Sequence, residues 1–319
     1  MNKKHRTTAR TSSAPKTEAT ELSVKQPAQL LDFLLASFPG RGRNTVKSIL
    51  ARGQVSVDGR STTKYDYPLQ PGQAVAVNWA KVTSSRDSRL IGLTILHEDA
   101  DLIVIHKEAG LLSIATEQEK ELTAYRQLSD HVRNADPRAR IFVVHRLDRD
   151  TSGVMMFAKS ERVQQLLQND WHNAVQERTY AALVEGEVRT PEGTVKSWLK
   201  ENKAMIMYSS QKPDDGLLAV THYKTLQTGN LYSLLEVRLE TGRKNQIRVH
   251  MKDLGHPVVG DKKYGSRSGA IGRLGLHARV LSFRHPTGGQ TMRFESPLPP
   301  AFMRVFREPG SRQTPKTGE

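Results

Sequence analysis

His145-Arg146-Leu147-Asp148-Arg149-Asp150-Thr151-Ser152-Gly153 is a charged segment that lies between two apolar ones, at residues 141–144 and 153–158. Each apolar segment is typical of a short buried strand. Loops between rigid strands often display functional side chains, and neighbouring charges adjust the protonation of a carboxylate. Asp148 is therefore a candidate catalytic carboxylate. An ordinary acidic turn between two strands is the alternative, and this pattern alone leaves it open.

The sequence from Leu93 onward alternates between strand and helix patterns. Paired strands are predicted around the turn at residues 98–101, and Ser160 is predicted to cap a helix that runs through Trp171. Because only a few helices interrupt the strands, the pattern favours an α+β domain with a mixed, largely antiparallel sheet over regular βαβ alternation. We predict this domain for residues 93–307. Its other strands are expected at 180–184, 217–225, 232–239, 276–283 and 291–294, and a helix at 122–135.

A smaller unit is predicted upstream, at residues 27–82. Its pattern consists of two short helices, at 30–35 and 45–51, and strands at 54–57 and 74–77. An Asp58-Gly59 pair is typical of the turn of a hairpin. Polar, serine-rich residues 83–92 are expected to form a linker. The sequence predicts disordered tails at residues 1–26, which are basic, and at 308–319.

Charge and composition narrow the class of partner. The chain has 48 Lys+Arg and 33 Asp+Glu, a net charge of +15, which favours a polyanion such as nucleic acid. A membrane partner is disfavoured, because no apolar run approaches the roughly 20 residues that span a bilayer. The absence of cysteine excludes thiolate and cysteine–metal chemistry. The 11 histidines form no HExxH motif, so neither a metal nor another cofactor is expected. We expect a cytoplasmic protein without a secretory signal.

Two further segments could complete a site around Asp148. Residues 234–239 read as a strand, and residues 240–250 turn from it into a helix. Arg243 and Arg248 are predicted in the first turns of that helix, where either could keep a nearby carboxylate ionised. Simple phosphate binding by the same arginines is the alternative. Tyr180 begins a predicted strand, where it could pack in the core or stack on a nucleobase.

Several motifs together resemble the RluA family of pseudouridine synthases over residues 93–306. They are LHED at 96–99, LIVIHKEAGL at 102–111, the HRLDRDTSG segment, ERTYAALVEG at 177–186, TGRKNQIRVH at 241–250, HPVVGDKKYG at 256–265 and LHA at 276–278. Their order is that of the family. The sequence departs from the family at Lys244-Asn245, where Thr-His is common, and at Glu108, where proline is common. It also lacks a family proline shortly after residues 111–113.

The upstream unit resembles the alpha-L RNA-binding motif, which precedes many pseudouridine synthases. Its basic side chains cluster around the second predicted helix, where several share one face. Such a stripe suits phosphate contacts, and a solvated basic helix is the alternative. The RNA-binding candidates are Arg41, Arg43, Lys47 and Arg52.

The RluA resemblance implies a role for each residue of the site. Asp148 would be the essential carboxylate, Tyr180 the aromatic side chain over the target uracil, and Arg248 the partner of Asp148. Arg146 would enter the RNA where the uridine has been extruded, and Ile247 would pack against the base. His145 and Arg243 are further substrate-binding candidates. Whether Asp148 attacks the sugar, attacks the base or removes a sugar proton stays open.

The function implied is isomerisation of uridine in structured RNA, with ribosomal RNA the first choice and transfer RNA the second. This chemistry requires no cofactor, because nothing is added to the uridine. A monomer is the default expectation. The alternatives are a catalytically silent RNA-binding or ribosome-assembly factor, and a hydrolase that leaves an abasic site.

Overall fold

The computed structural model describes residues 19–51, 53–62, 64–79, 90–117, 119–120 and 122–307. The chain divides into two compact units, Met1–Ile91 and Gly92–Glu319. Most of the predicted linker (83–89) lies outside the described residues, as do residues 1–18 and the predicted tail 308–319. Across the described segments, no helix has both the length and the apolar character needed to cross a membrane.

The N-terminal unit packs two helices, α1 (Leu30–Ser37) and α2 (Arg43–Ala51), with short antiparallel strands. The apolar faces predicted for both helices are buried, because they form one core with the strands. Asp58 and Gly59 both have positive φ, as a two-residue hairpin turn requires. The strands are β1 (Ala19–Ser23), β2 (Ala28–Gln29), β3 (Val55–Val57), β4 (Arg60–Ser61), β5 (Pro68–Leu69) and β6 (Ala74–Asn78), paired in the orders β1-β6-β3-β4 and β2-β5.

The prediction that the tail extends to residue 26 is wrong for residues 19–26. Ala19–Ser23 forms β1, which pairs antiparallel with β6, and Val24 is buried in the core of the N-terminal unit. An edge strand of this kind is held by backbone hydrogen bonds to its neighbour, and only one of its faces needs to be apolar. The residue types of this mostly polar segment therefore do not reveal it.

The C-terminal unit is built on a sheet of eleven strands within the described residues. The strands are β7 (Leu93–Glu98), β8 (Leu102–Lys107), β9 (Phe142–Val143), β10 (Ser152–Ala158), β11 (Val175–Glu185), β12 (Glu192–Glu201), β13 (Met207–Ser210), β14 (Leu217–Thr228), β15 (Tyr232–Leu239), β16 (Leu276–Arg284) and β17 (Thr291–Glu295). They lie side by side in the order β13-β12-β14-β15-β11-β16-β10-β8-β7, with β17 beside β16 and β9 beside β10. Every pairing among them is antiparallel except that of β10 with β16.

This mixed, largely antiparallel sheet is the predicted fold class, which the structure confirms. The predicted hairpin pairs β7 with β8, and the apolar segments on either side of Asp148 become β9 and β10, which pair with each other. β10 is buried along its whole length, because it is an interior strand between β8 and β16 and α4 packs against it. Asp148 therefore lies on the loop that joins β9 to the interior strand β10.

Helices flank the sheet, and two of them begin at side-chain caps. The Thr123 hydroxyl accepts a hydrogen bond from the Arg126 amide, and the Ser160 hydroxyl accepts one from the Val163 amide, as predicted for Ser160. The predicted helix through Trp171 is divided at Asp170. The elements are α3 (Ala124–Ala135), α4 (Glu161–Asn169), α5 (Trp171–Ala174), α6 (Gln246–Asp253), α7 (Pro300–Arg304) and a 3-10 helix (Lys262–Tyr264).

Candidate active site

The backbone of the loop that carries Asp148 is hydrogen-bonded to the segment that follows β8. The Ser113 hydroxyl donates to the Leu147 carbonyl at 2.7 Å and accepts from the Leu147 amide at 3.2 Å. The Gly110 amide donates to the Arg149 carbonyl at 2.9 Å. Leu147 itself is buried. Residues on both sides of Asp148 are thus fixed to the segment that follows β8.

Lys107 provides the third anchor, from the end of β8. Its side chain is fully buried, and Nζ donates to the carbonyls of Glu108, Leu111 and Arg149 at 3.0, 2.7 and 3.0 Å. Burial lowers the pKa of Lys107 to about 7, while the charge of Asp150 opposes that shift. Three carbonyl acceptors match the three hydrogens of an ammonium group. This geometry favours the charged form, so the buried amine joins the Asp148 loop to β8.

Gly153 allows the loop to return directly into the sheet. Its φ is 118°, and a Cβ atom built there would lie 2.0 Å from the Ala278 carbonyl oxygen of β16. Only glycine permits so close an approach of two backbones together with a positive φ. The parallel pairing of Ser152 and Gly153 with His277 and Ala278 depends on that contact.

Asp148 and Arg248 form an ion pair, which is the pairing that the RluA resemblance implies. Arg248 lies in the first turn of α6, and its Nη1 is 3.0 Å from Oδ2 of Asp148. The Asp148 side chain is 30 % exposed and that of Arg248 14 % exposed. The carboxylate can therefore be reached from solvent, while its counter-charge is mostly enclosed.

Arg248 has further partners that the sequence did not indicate. Its Nε and Nη2 donate to Oδ2 and Oδ1 of Asp261 at 2.6 and 2.8 Å, a two-point contact with a carboxylate that is 1 % exposed. Its Nη1 also donates to Oδ1 of Asn245 at 3.0 Å. The Tyr264 ring centroid lies 4.9 Å from the guanidinium carbon. These contacts hold the guanidinium at its edges and on one face.

A small pocket opens beside the Asp148 carboxylate. Tyr180 and Ile247 line it, together with Leu239 and Leu276, so apolar walls face the charged pair. Tyr180 lies at a register shift in the pairing of β11 with β16, and such irregularities redirect side chains at active sites. Burial raises the pKa of Tyr180, and the charge of Asp148 adds to that shift. The ring is therefore a neutral surface beside a carboxylate.

Two other candidates, Arg146 and Arg243, line the pocket without contacting Asp148. Arg146 is exposed and lines the pocket without a hydrogen bond or an ion pair to the residues that the structure describes. Arg243 also lines the pocket, but the predicted position in the helix is wrong because α6 begins at Gln246. Its Nε donates to the Leu218 carbonyl at 2.9 Å. The side chain that contacts Asp148 is thus that of Arg248.

His145 lies outside the pocket lining. Its Nε2 accepts a hydrogen bond from the Met156 amide at 3.1 Å, and its ring packs on Trp171 with centroids 5.2 Å apart. Burial and the nearby charge of Arg178 lower the pKa of His145 to about 3. These contacts describe a neutral ring that joins the loop to β10, and they provide no contact with a base in the pocket.

Three basic candidates of the N-terminal unit are exposed, and they lie on α2 or just before it. Arg43 and Lys47 are one helical turn apart and both point into solvent. Arg41 precedes the helix, and its guanidinium carbon lies 4.9 Å from the centroid of the Trp79 ring. Arg52 lies outside the described residues.

One group of side chains has the spacing of metal ligands. Asp99, Asp101 and His285 each present a ligand atom within 4.8 Å of the others. His97 Nε2 lies 2.6 Å from Asp99 Oδ2, and the Thr287 hydroxyl donates to Asp101 at 2.5 Å. The two carboxylates are therefore already hydrogen-bonded, and the group does not contribute to the Asp148 pocket.

Comparison with known proteins identifies the family. A family model described as RNA pseudouridylate synthase matches residues 101–253. The RNA pseudouridine synthase YjbO of Bacillus subtilis is 35% identical over 257 residues, which are 80% of this chain and 90% of the relative. Ribosomal large subunit pseudouridine synthase D of Pseudomonas aeruginosa is 32% identical over 305 residues, 89% and 93% of the two chains. The chain belongs to the RluA family of RNA pseudouridine synthases.

A solved structure agrees with this RluA assignment at the level of the fold. Human RNA pseudouridylate synthase domain containing 4 superposes with a TM-score of 0.54 at 23% sequence identity. The match covers 66% of this chain and 91% of that one. The chain is accordingly an isomerase of the pseudouridine synthase class, as the motifs predicted.

Sequence reasoning missed several residues of this RluA-family site. Asp261 lies in the quoted HPVVGDKKYG motif and Lys107 in LIVIHKEAGL, so both were visible as parts of motifs but had no predicted role. Asn245 was recognised as a departure from the family without a contact to explain it. Ser113 has no motif of its own. Strand alternation places Lys107 on the same face as Ile103 and Ile105, and a charged residue on such an apolar face is a signal that could have indicated a buried role.

Proposed function

We propose that this enzyme converts uridine to pseudouridine in ribosomal RNA of the large subunit, with Asp148 as its single catalytic carboxylate. The observation that carries the proposal is the Asp148–Arg248 ion pair at a pocket whose walls include Tyr180 and Ile247. A carboxylate that must act in its ionised form is stabilised there by a fixed cation in a partly enclosed site. Transfer RNA is the second candidate substrate.

The reaction requires few groups. The glycosidic C–N bond of the uridine breaks, the uracil turns, and a C–C bond forms at ring carbon 5. Carbon 5 then loses its proton to a base or water and the freed ring nitrogen gains one, so the product is an isomer of uridine. An ionised Asp148 is what each proposed first step requires, whether it attacks the sugar, attacks the base or removes a sugar proton. Tyr180 offers a flat surface on which the uracil can stack, a contact worth about 1–3 kcal/mol. Ile247 closes the pocket from α6.

Arg146 is suited to the space that an extruded uridine leaves. Its side chain is exposed at the pocket, and it has no partner among the described residues. Removing a base from a stacked helix costs a few kcal/mol, and a cation inserted in the gap offsets part of that cost. Arg243 is placed to contact phosphate groups beside the same pocket.

The N-terminal unit is proposed to bind RNA in the manner of an alpha-L motif. Three exposed cationic side chains lie on or beside α2, those of Arg41, Arg43 and Lys47. Such side chains can contact RNA phosphates, and phosphate contacts position a protein without reading the base sequence. Arg41 lies over the Trp79 ring, so an aromatic face adjoins the basic surface. The Pseudomonas aeruginosa relative is a ribosomal large subunit pseudouridine synthase, which supports large-subunit ribosomal RNA as the target.

Tritium release tests the proposal directly. Large-subunit ribosomal RNA and transfer RNA labelled with tritium at uracil carbon 5 are incubated separately with the full-length protein. We expect release from the ribosomal RNA, and a loss of about a thousandfold or more in Asp148→Asn with RNA binding retained. Asp130→Asn is the control, because Asp130 is an exposed aspartate on α3 that pairs with Arg126 and does not line the pocket.

Three results would contradict parts of this proposal. Binding of both RNAs without tritium release by the wild-type protein would indicate the silent RNA-binding factor. Free uracil in the reaction would indicate a hydrolase. Release from transfer RNA alone would reassign the substrate while leaving the role of Asp148 intact.

A further inference from the structure

We propose that Asp261 is a positioning residue, which with Asn245 fixes Arg248 and takes up most of its charge so that Asp148 stays reactive. This inference rests on the proposed role of Asp148 as the catalytic carboxylate. The reaction itself does not require Asp261 or Asn245. The observation behind the proposal is that one guanidinium contacts two carboxylates.

The hydrogen bonds of Arg248 are divided unequally between its two acids. Asp261 receives two parallel bonds, from Nε at 2.6 Å and Nη2 at 2.8 Å, whereas Asp148 receives one bond from Nη1 at 3.0 Å. Two-point arginine–carboxylate contacts are the strong and directional ones. The orientation of the guanidinium is therefore set by Asp261, and Asp148 meets an N–H group whose position is already determined.

The two carboxylates that share Arg248 also differ in burial. The Asp261 side chain is 1 % exposed, while that of Asp148 is 30 % exposed and open to the pocket. Although burial lowers it, the hydrogen bond and charge of Asp261 raise the pKa of Arg248 above its ordinary value, and Asp148 contributes less. Two carboxylates on one cation leave a net negative charge, and the exposed Asp148 is where a substrate can meet it.

The backbone around Asp261 is rigid enough for this task. Its amide donates to the Val258 carbonyl, and its carbonyl accepts from the amides of Tyr264 and Ser266. Gly260 has φ 78°, and a Cβ atom there would lie 2.2 Å from the Arg273 carbonyl oxygen. A carboxylate held on such a turn has little freedom to follow a moving arginine, so it acts as a fixed reference.

Asn245 completes the enclosure from the other side. Its φ of 55° is a left-handed conformation that asparagine tolerates better than most residues. Its Oδ1 accepts from the same Nη1 that donates to Asp148, and its Nδ2 donates to the Tyr264 hydroxyl at 2.9 Å. The Tyr264 ring in turn lies against the guanidinium. The residue that departs from the family pattern is thus part of the clamp on Arg248.

The competing explanation is that Asp261 only stabilises the turn at residues 258–266. A double-mutant cycle separates the two, because a residue that acts through Arg248 loses its effect once Arg248 is changed. The variants are Asp261→Asn, Arg248→Lys and the pair together. The readouts are kcat and KM from tritium release, RNA affinity, and urea unfolding of the full-length protein.

We expect Asp261→Asn to lower kcat by about 10- to 100-fold, with KM and RNA affinity within about threefold of wild type. In the Arg248→Lys background the same substitution should lower kcat by less than about threefold. Asn245→Gly, which keeps the left-handed backbone and removes the amide, should lower kcat by about 3- to 10-fold. Asp215→Asn is the control, because Asp215 pairs with Lys200 and Ser210 away from the pocket and should leave kcat unchanged.

A second measurement does not depend on turnover. The Arg248 Nε–H proton, identified by its absence in Arg248→Lys, should give a slowly exchanging NMR signal in the wild-type protein that Asp261→Asn abolishes. An equal fold-loss of kcat in both backgrounds, or a protected Arg248 signal in folded Asp261→Asn, would overturn the inference. If the Arg248 Nε–H signal of the wild-type protein exchanges slowly but the protein releases no tritium, the proposed function is contradicted. The hold of Asp261 on Arg248 would still be supported.

Discussion

His250 and His277 are fully buried in the C-terminal unit and differ from exposed histidines in their protonation. Burial lowers the pKa of each to about 4. The His250 ring nitrogens lie 2.9 and 2.8 Å from the hydroxyls of Ser197 and Thr221, and Nδ1 of His277 lies 2.7 Å from that of Ser152. Both rings are therefore neutral in the folded protein at neutral pH.

This protonation predicts an acid-sensitive stability. In the unfolded chain both histidines have a pKa near 6.5, so between about pH 6.5 and 4 the unfolded state binds more protons than the folded state. The free energy of unfolding should fall with pH there, by at most about 1.4 kcal/mol per histidine and pH unit. Urea midpoints measured between about pH 6.5 and 5 test this, and His250→Gln should flatten the slope. An unchanged slope in that variant would contradict the assignment.

The backbone of Gly153 lies too close to that of Ala278 to admit a side chain. Gly153→Ala places a methyl group against the Ala278 carbonyl at a φ of 118°, so the strands must separate. We expect a loss of about 2–4 kcal/mol in the free energy of unfolding, from combined overpacking and backbone strain. Urea denaturation measures it. Gly269→Ala is the matched control, because open space surrounds that position, and an equal loss there would contradict the cause.

At the scale of elements, the Asp148 loop depends on the segment after β8. Ser113→Ala would leave the buried amide and carbonyl of Leu147 without their partner, at a cost of about 1–3 kcal/mol. Because Leu147 adjoins Asp148, we expect kcat for tritium release to fall by about tenfold or more while RNA affinity is retained. Ser282→Ala is the control: Ser282 is buried in β16 and has no side-chain hydrogen bond in the part of the chain described. Equal losses in both variants would contradict the anchoring role.

At the scale of the whole molecule, the net charge of +15 predicts salt-dependent RNA binding. Each phosphate contact contributes roughly 0.7–0.9 to the slope of log affinity against log salt. Replacing Arg41, Arg43 and Lys47 by glutamine should reduce that slope by about 2. The control replaces Arg126, Lys200 and Arg238, which already pair with Asp130, Asp215 and Glu236. Both triple variants have a net charge of 15 − 3 = +12. Equal slopes in the two would show that overall charge alone binds the RNA.

Apolar periodicity in the sequence determined most of the large sheet, because alternation and short apolar runs depend only on local residue types. It placed Asp148 between β9 and β10 and Tyr180 on β11, and the ordered motifs identified the family. It missed β12 and β13, whose polar residues carry little of that signal, and it missed β1, which is held by backbone pairing.

Only the tertiary structure decided which groups meet. Arg248 reaches across 100 positions to Asp148 and 13 to Asp261, and Ser113 reaches across 34 to Leu147. Such contacts depend on how strands and turns bring distant backbone together, which no local pattern of residue types contains. The motifs of the sequence, through their resemblance to the family, therefore predicted that Asp148 pairs with Arg248. That the arginine is shared with a second, buried acid followed from packing, because packing determines which charges lose water and must find partners.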